Sequence, residues 1–235
     1  MDVESRVASL EWARIAEELN TYGVARTGPL LTERQCRELR ASYPEDRLFR
    51  SHIVMARHGF GQGEYKYFAR PLPETVERLR HAFYPQLAPV ANDWHARMGM
   101  EERFPATLDA FLDACHRDGQ QRPTPLLLKY GAGDYNCLHQ DIYGKHVFPI
   151  QLVVLLSDAG KDFTGGEFVV TEQRPRMQSR VEVAPLEIGG GAIFAVCDRP
   201  RHGARGDYRV RMRHGVSRIR SGERYTLGVI FHDAA

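Results

Sequence analysis

The sequence predicts an α+β fold with a mainly β core: a jelly-roll or cupin-like double sheet with an N-terminal helical support region. Two observations carry this expectation. Through residue 121 apolar residues recur largely at helical spacing, whereas from residue 122 the chain breaks into short apolar or alternating runs cut by Gly, Asp and Pro. About eight such runs are present, the number of strands from which a closed double sheet of this kind is built. At 235 residues and 43% hydrophobic, the chain can bury a full core. Residues 1–121 and 122–235 are expected to form one integrated domain, since no repeat, low-complexity tract or linker separates them.

The first helix is predicted over residues 7–19, the second over 34–39 behind Thr32 as N-cap, and the third over 75–98, with Pro73 and Glu74 just ahead of its start. Residues 49–68 mix β-compatible residues with glycines. This segment reads either as a plain hairpin against the core or as a mobile lid that turns Tyr65, Tyr67 and Phe68 toward a substrate. Its Gly59-x-Gly61-x-Gly63 opens no clear helix and is followed by no Lys, so it reads as a flexible turn rather than a phosphate loop. The strands are predicted at 125–130, 136–141, 148–156, 167–171, 180–183, 192–196, 210–217 and 225–232.

Net charge is +2, so the whole-molecule field attracts neither nucleic acid nor an anionic membrane, although a local patch still could. Four cysteines stand far apart with no C-x-x-C pair, and no basic n-region precedes an apolar stretch at the N-terminus. A reduced, cytoplasmic protein with no membrane span is expected.

The chemistry concentrates in the last hundred residues. His139-Gln140-Asp141 ends one predicted strand, a solitary His214 lies in the next-to-last, and Arg224-Tyr225-Thr226 begins the last. Residues i and i+2 of a strand point to one side, so His139 and Asp141 can reach a single metal, with His214 supplied by a strand folded against theirs. Two imidazoles and one carboxylate hold a non-heme Fe(II) by one face and leave the other open. His116-Arg117-Asp118 has the same spacing but closes a helix-like stretch, where i and i+2 do not share a face, so it reads as surface or cap.

Leu138-His139-Gln140-Asp141, His214 and Arg224-x-Thr226 together resemble the Fe(II)- and 2-oxoglutarate-dependent dioxygenases, over residues 125 to 233. The resemblance implies a double-stranded β-helix and iron ligation by His139, Asp141 and His214. It implies that Arg224 pairs with the distal carboxylate of 2-oxoglutarate and that Thr226 adds a second donor. Tyr130, in Tyr130-Gly131-Ala132-Gly133, is similar to the tyrosine-led turn of AlkB-like dealkylases, where the phenol also touches the co-substrate. Two departures separate the chain from that group. Leu128 stands where those enzymes carry Asn, and the ten-residue step from His214 to Arg224 is closer to the prolyl-hydroxylase type. The implied reaction consumes O2 and converts 2-oxoglutarate to succinate while a substrate C–H bond is oxidised.

For the substrate, Arg209, Arg211 and Arg213 alternate along one strand immediately before His214, and a row of guanidinium groups beside a metal site would suit a nucleic-acid backbone. The chain also resembles a bacterial family of these oxygenases assigned, by resemblance, to damaged nucleic acid. The same row on an edge strand would equally guard against aggregation. A protein side chain of the prolyl type and a small metabolite stay open as substrates. A metal-binding cupin-like module without turnover, and a barrel that merely scaffolds nucleic-acid binding, stay open as functions; Arg224-x-Thr226 argues against the former, which has no use for a co-substrate anchor.

Overall fold

The computed structural model describes residues 2–142 and 144–235. The helical region holds α1 (Val3–Ala8), α2 (Trp12–Tyr22), α3 (Glu33–Ala41), α4 (Glu74–Arg97) and α5 (Leu108–Arg117). The helix expected over 7–19 is two helices, interrupted at Ser9-Leu10-Glu11. The α3 boundary follows from a capping box: the Thr32 hydroxyl accepts from the Gln35 backbone N–H, while the Gln35 side chain reaches back to the Thr32 backbone.

The strands in chain order are β1 (Val24–Pro29), β2 (Phe49–Val54), β3 (Gly61–Gln62), β4 (Glu64–Phe68), β5 (Leu126–Tyr130), β6 (Tyr135–His139), β7 (Ile150–Leu155) and β8 (Phe163–Gly165). They continue with β9 (Phe168–Gln173), β10 (Arg180–Ala184), β11 (Gly190–Ala195), β12 (Asp198–Gly203), β13 (Gly206–Val216), β14 (Ile219–Gly222) and β15 (Arg224–Val229). One sheet runs β1-β11-β7-β15-β5-β4-β2 and the other β10-β9-β13-β6-β3, with β12 added beside β13. Four strands of each, β11-β7-β15-β5 against β10-β9-β13-β6, are the two walls of a double-stranded β-helix, as expected. All eight predicted strands are present, with ends shifted by a few residues.

Three strands of the larger sheet, β1, β2 and β4, come from before residue 122 and extend its two edges. Residues 49–68 are therefore a hairpin in the sheet, β4 pairing with β5 and β2 with β4. The turn between them approaches β6 closely: Gly61 has φ +130°, and a Cβ there would strike the Tyr135 carbonyl. Behind the larger sheet, α4 and α5 pack through Tyr84, Phe111, Phe148 and Phe231, with ring centroids 5.0 to 6.2 Å apart around Tyr84. Among the described residues no helix is long and apolar enough to cross a membrane.

Candidate metal and co-substrate site

The facing walls of the barrel bring the predicted residues to one cavity of about 350 Å³. His214 on β13 is paired directly with His139 at the end of β6. Asp141 lies two residues beyond that strand and turns back toward both imidazoles. Its Oδ1 stands 3.4 Å from His139 Nε2 and its Oδ2 3.4 Å from His214 Nε2. Suitable ligand atoms of all three lie within 4.8 Å of one another. Three donors each about 2 Å from a common ion would be separated by distances of this order. The His139 Nδ1 is held at 2.8 Å by the Cys137 carbonyl, which orients Nε2 into the cluster.

The electrostatics agree with a cation site. Burial alone would raise the Asp141 pKa, but His214 and His139 together outweigh it and hold the carboxylate well below the usual range. For His214 burial dominates and lowers its pKa, favouring the neutral ring a metal needs. For His139 burial also acts downward, yet the Asp141 carboxylate and the Cys137 carbonyl overcome it and the net shift is upward.

The other end of the cavity is set by β5 and β15. Arg224 is paired across to Tyr130, and Thr226 to Leu128. Arg224 and Thr226 are each 1% exposed and both line the cavity, as i and i+2 of one strand should. The Arg224 guanidinium lies 5.7 Å from the Tyr130 ring and 5.9 Å from the Phe163 ring, but its Nε and Nη1 have no hydrogen-bond partner among the described residues. Burial pulls its pKa down to about 10. Tyr130 is fully buried; its hydroxyl accepts from Asn136 Nδ2 at 3.4 Å, and burial pushes its pKa up. A buried cation without an acceptor, opposite a His/Asp/His cluster, fits a dicarboxylate whose one end reaches the metal and whose other end meets Arg224.

Arg209, Arg211 and Arg213 lie elsewhere. Along β13 the residues Val210, Met212 and His214 are buried while the three arginines are exposed, so the row projects from the outer face of the sheet, away from the cavity. The expectation that it flanks the metal site is corrected: the alternation that aligns the row turns it from His214. Arg209 donates to the Met98 carbonyl at 2.7 Å, and Arg211 faces Asp198 at 3.9 Å. The second His-x-Asp divides as well, His116 bonding Asp233 at 2.9 Å and Asp118 bonding Lys145 at 3.0 Å.

Among the cavity residues to which the sequence assigned no role are Asn136, which supports Tyr130, and Gln151 of β7, whose Nε2 has no partner among the described residues. The one available signal for Gln151 was a lone amide in the otherwise apolar run Phe148-Pro149-Ile150-Gln151-Leu152-Val153.

A family profile described as "Oxygenase, catalysing oxidative methylation of damaged DNA" (Oxygenase-NA) matches residues 63–234. An uncharacterized protein of Mycobacterium tuberculosis strain H37Rv is 52% identical over 168 residues, covering 72% of each chain. Among solved structures, a prolyl-4-hydroxylase of Pseudomonas putida superposes with a TM-score of 0.55 at 15% identity, covering 92% of this chain and 96% of its own. A 2OG-Fe(II) oxygenase family oxidoreductase from Burkholderia pseudomallei gives 0.53 at 16% identity, covering 95% and 92%. At such identities these two report the fold alone.

Proposed function

The chain belongs to the Oxygenase-NA family, and from this premise we propose that it is a 2-oxoglutarate- and Fe(II)-dependent oxygenase that oxidises a methylated base of nucleic acid in the cytoplasm, converting 2-oxoglutarate to succinate as it does so. The single observation that carries the reading is the Arg224 guanidinium, buried, without a partner at Nε and Nη1 among the described residues, and facing the cavity that also holds His139, Asp141 and His214. A metal module without turnover has no use for such a group.

In this reading His139, Asp141 and His214 hold Fe(II), which with 2-oxoglutarate and O2 bound supplies the oxidation of a substrate C–H bond. The chain's own residues bind and orient. Arg224 grips the distal carboxylate of 2-oxoglutarate through two N–H donors, and the Thr226 hydroxyl on the same strand face donates a further bond. Tyr130, held by Asn136, closes that end against water. Walls from Leu126, Leu128, Val153 and Phe194 keep the cavity apolar, which strengthens each of these charged contacts. The family description supports nucleic acid as the substrate class.

The test is product formation. Protein loaded with Fe(II) and 2-oxoglutarate is incubated with methylated oligonucleotides, proline-containing peptides and free amino acids, and substrate-stimulated succinate is followed together with mass changes. Demethylation of an oligonucleotide is the expected result. A gain of one oxygen on a peptide or amino acid, with every oligonucleotide unchanged, would refute nucleic acid and leave the oxygenase.

A further inference from the structure

At the end of the cavity remote from Arg224, the protein buries a hydrogen-bond donor that no other described residue uses. Gln151 is 4% exposed and its Nε2 has no partner among the described residues. The strand register locates it. β7 and β15 are antiparallel, with Leu155 opposite Thr226 and Leu152 opposite Val229, so Gln151 lies beyond the last of these pairs, at the end where the chain leaves β15. Tyr67 pairs with Leu126 on the neighbouring strands, and with Tyr65, Ile230 and Asp141 these residues line the same cavity. A buried amide N–H without an acceptor is costly, and such a cost persists where a ligand atom removes it.

We infer that Gln151 is a specificity-determining residue, donating a hydrogen bond to an acceptor on the edge of a planar methylated base held against Tyr65 and Tyr67. This rests on the nucleic-acid reading above. The wall favours a flat heterocycle. The Tyr65 and Tyr67 rings meet edge to face at 5.4 Å and 87°, and the Arg50 guanidinium lies 4.5 Å from the centre of the Tyr67 ring, which restrains its plane. Leu126 and Ile230 add apolar surface without any competing polar group. A base offers both a π-face for such a wall and ring or carbonyl acceptors on its edge, whereas a prolyl ring is puckered and has neither. At the mouth, exposed Phe60 stacks on His58 at 5.3 Å, a surface on which a neighbouring base could rest.

The experiment uses Fe(II)-loaded protein, 2-oxoglutarate and a short single-stranded oligonucleotide carrying one ring-N-methylated cytosine, with a proline-containing peptide in parallel. Gln151→Leu should raise KM for the oligonucleotide about tenfold, the worth of one buried hydrogen bond, and shift KM for 2-oxoglutarate far less. Gln151→Glu, which keeps the shape and loses the N–H donors, should behave likewise. Thermal unfolding of ligand-free Gln151→Leu should show no loss of stability, because no bond within the protein is removed. An unchanged oligonucleotide KM in both variants, or a lowered melting temperature in the Leu variant, overturns the inference while the nucleic-acid reading stands. Stimulation of the unmodified protein by the peptide and by no oligonucleotide overturns both.

Discussion

Arg80 and Arg224 are both sealed from solvent, and they stand near opposite ends of the same strand, β15. Arg80 reaches from α4 to the chain just past that strand. Its Nε donates to the Ile230 carbonyl at 2.8 Å and its Nη2 to the Phe231 carbonyl at 3.1 Å and to Asp233 Oδ1 at 2.8 Å. Asp233, itself fully buried, also accepts from Arg70 at 2.6 Å and meets His116 at 2.9 Å. Arg224 at the head of the strand has two nitrogens with no partner among the described residues. Residue type and burial are the same, so neither separates the two. What differs is how far the fold itself supplies the acceptors: Arg80 makes three hydrogen bonds and keeps only Nη1 without a partner, whereas Arg224 has none at Nε or Nη1 among the described residues, and a guanidinium that faces a cavity in that state marks a place where a ligand supplies them.

The largest effect is expected at the cluster that shares the cavity with Arg224. Asp141→Ala should remove Fe(II) binding and turnover, by more than about a hundredfold, since even partners behind metal ligands are worth about 10–100-fold. If metal titration showed undiminished affinity, the cluster would be a structural polar group like Asp233, and the contrast would lose its meaning.

Arg80→Leu leaves Asp233 buried with its main partner gone, and breaking such a pair costs about 3–5 kcal/mol. Denaturant unfolding should register that loss. Arg224→Leu should do the reverse: no loss of ligand-free stability, but a tenfold or greater rise in KM for 2-oxoglutarate, as a lost buried charge contact costs about 2–5 kcal/mol. A destabilised Arg224→Leu protein with normal KM would equate the two arginines.

His232 sharpens the comparison through pH. Burial holds its pKa down at about 4, against the ordinary 6.5. Between those values the unfolded chain binds a proton that the folded chain does not, so stability is full above pH 6.5 and falls as pH drops toward 4, by about 3 kcal/mol. His232→Asn retains an acceptor for the Phe148 N–H, which His232 Nδ1 accepts at 3.2 Å, and should flatten that slope in pH-dependent unfolding. The smallest effect is expected on the outer face: Arg213→Ala should alter stability by less than about 0.5 kcal/mol and leave KM for 2-oxoglutarate unchanged.

Local order along the chain already determined the double sheet and most of the cavity. Strand alternation puts Arg224 with Thr226 on one face of β15, whereas Asp141 lies past the end of β6 and meets His139 and His214 through the turn that follows that strand. The same rule put the Arg209 row on the face opposite His214; missing that came from reading proximity along the chain as proximity in space. The docking of β1 and of the β2–β4 hairpin onto the larger sheet has no local signature, because β1 and β4 join it by hydrogen bonds to residues some 60 to 170 positions away. Only tertiary structure could decide which buried polar groups are satisfied. Arg80, Arg224 and Gln151 look alike as polar residues in apolar surroundings, and the difference between an anchor and a receptor lies in acceptors brought by distant segments, or not brought at all.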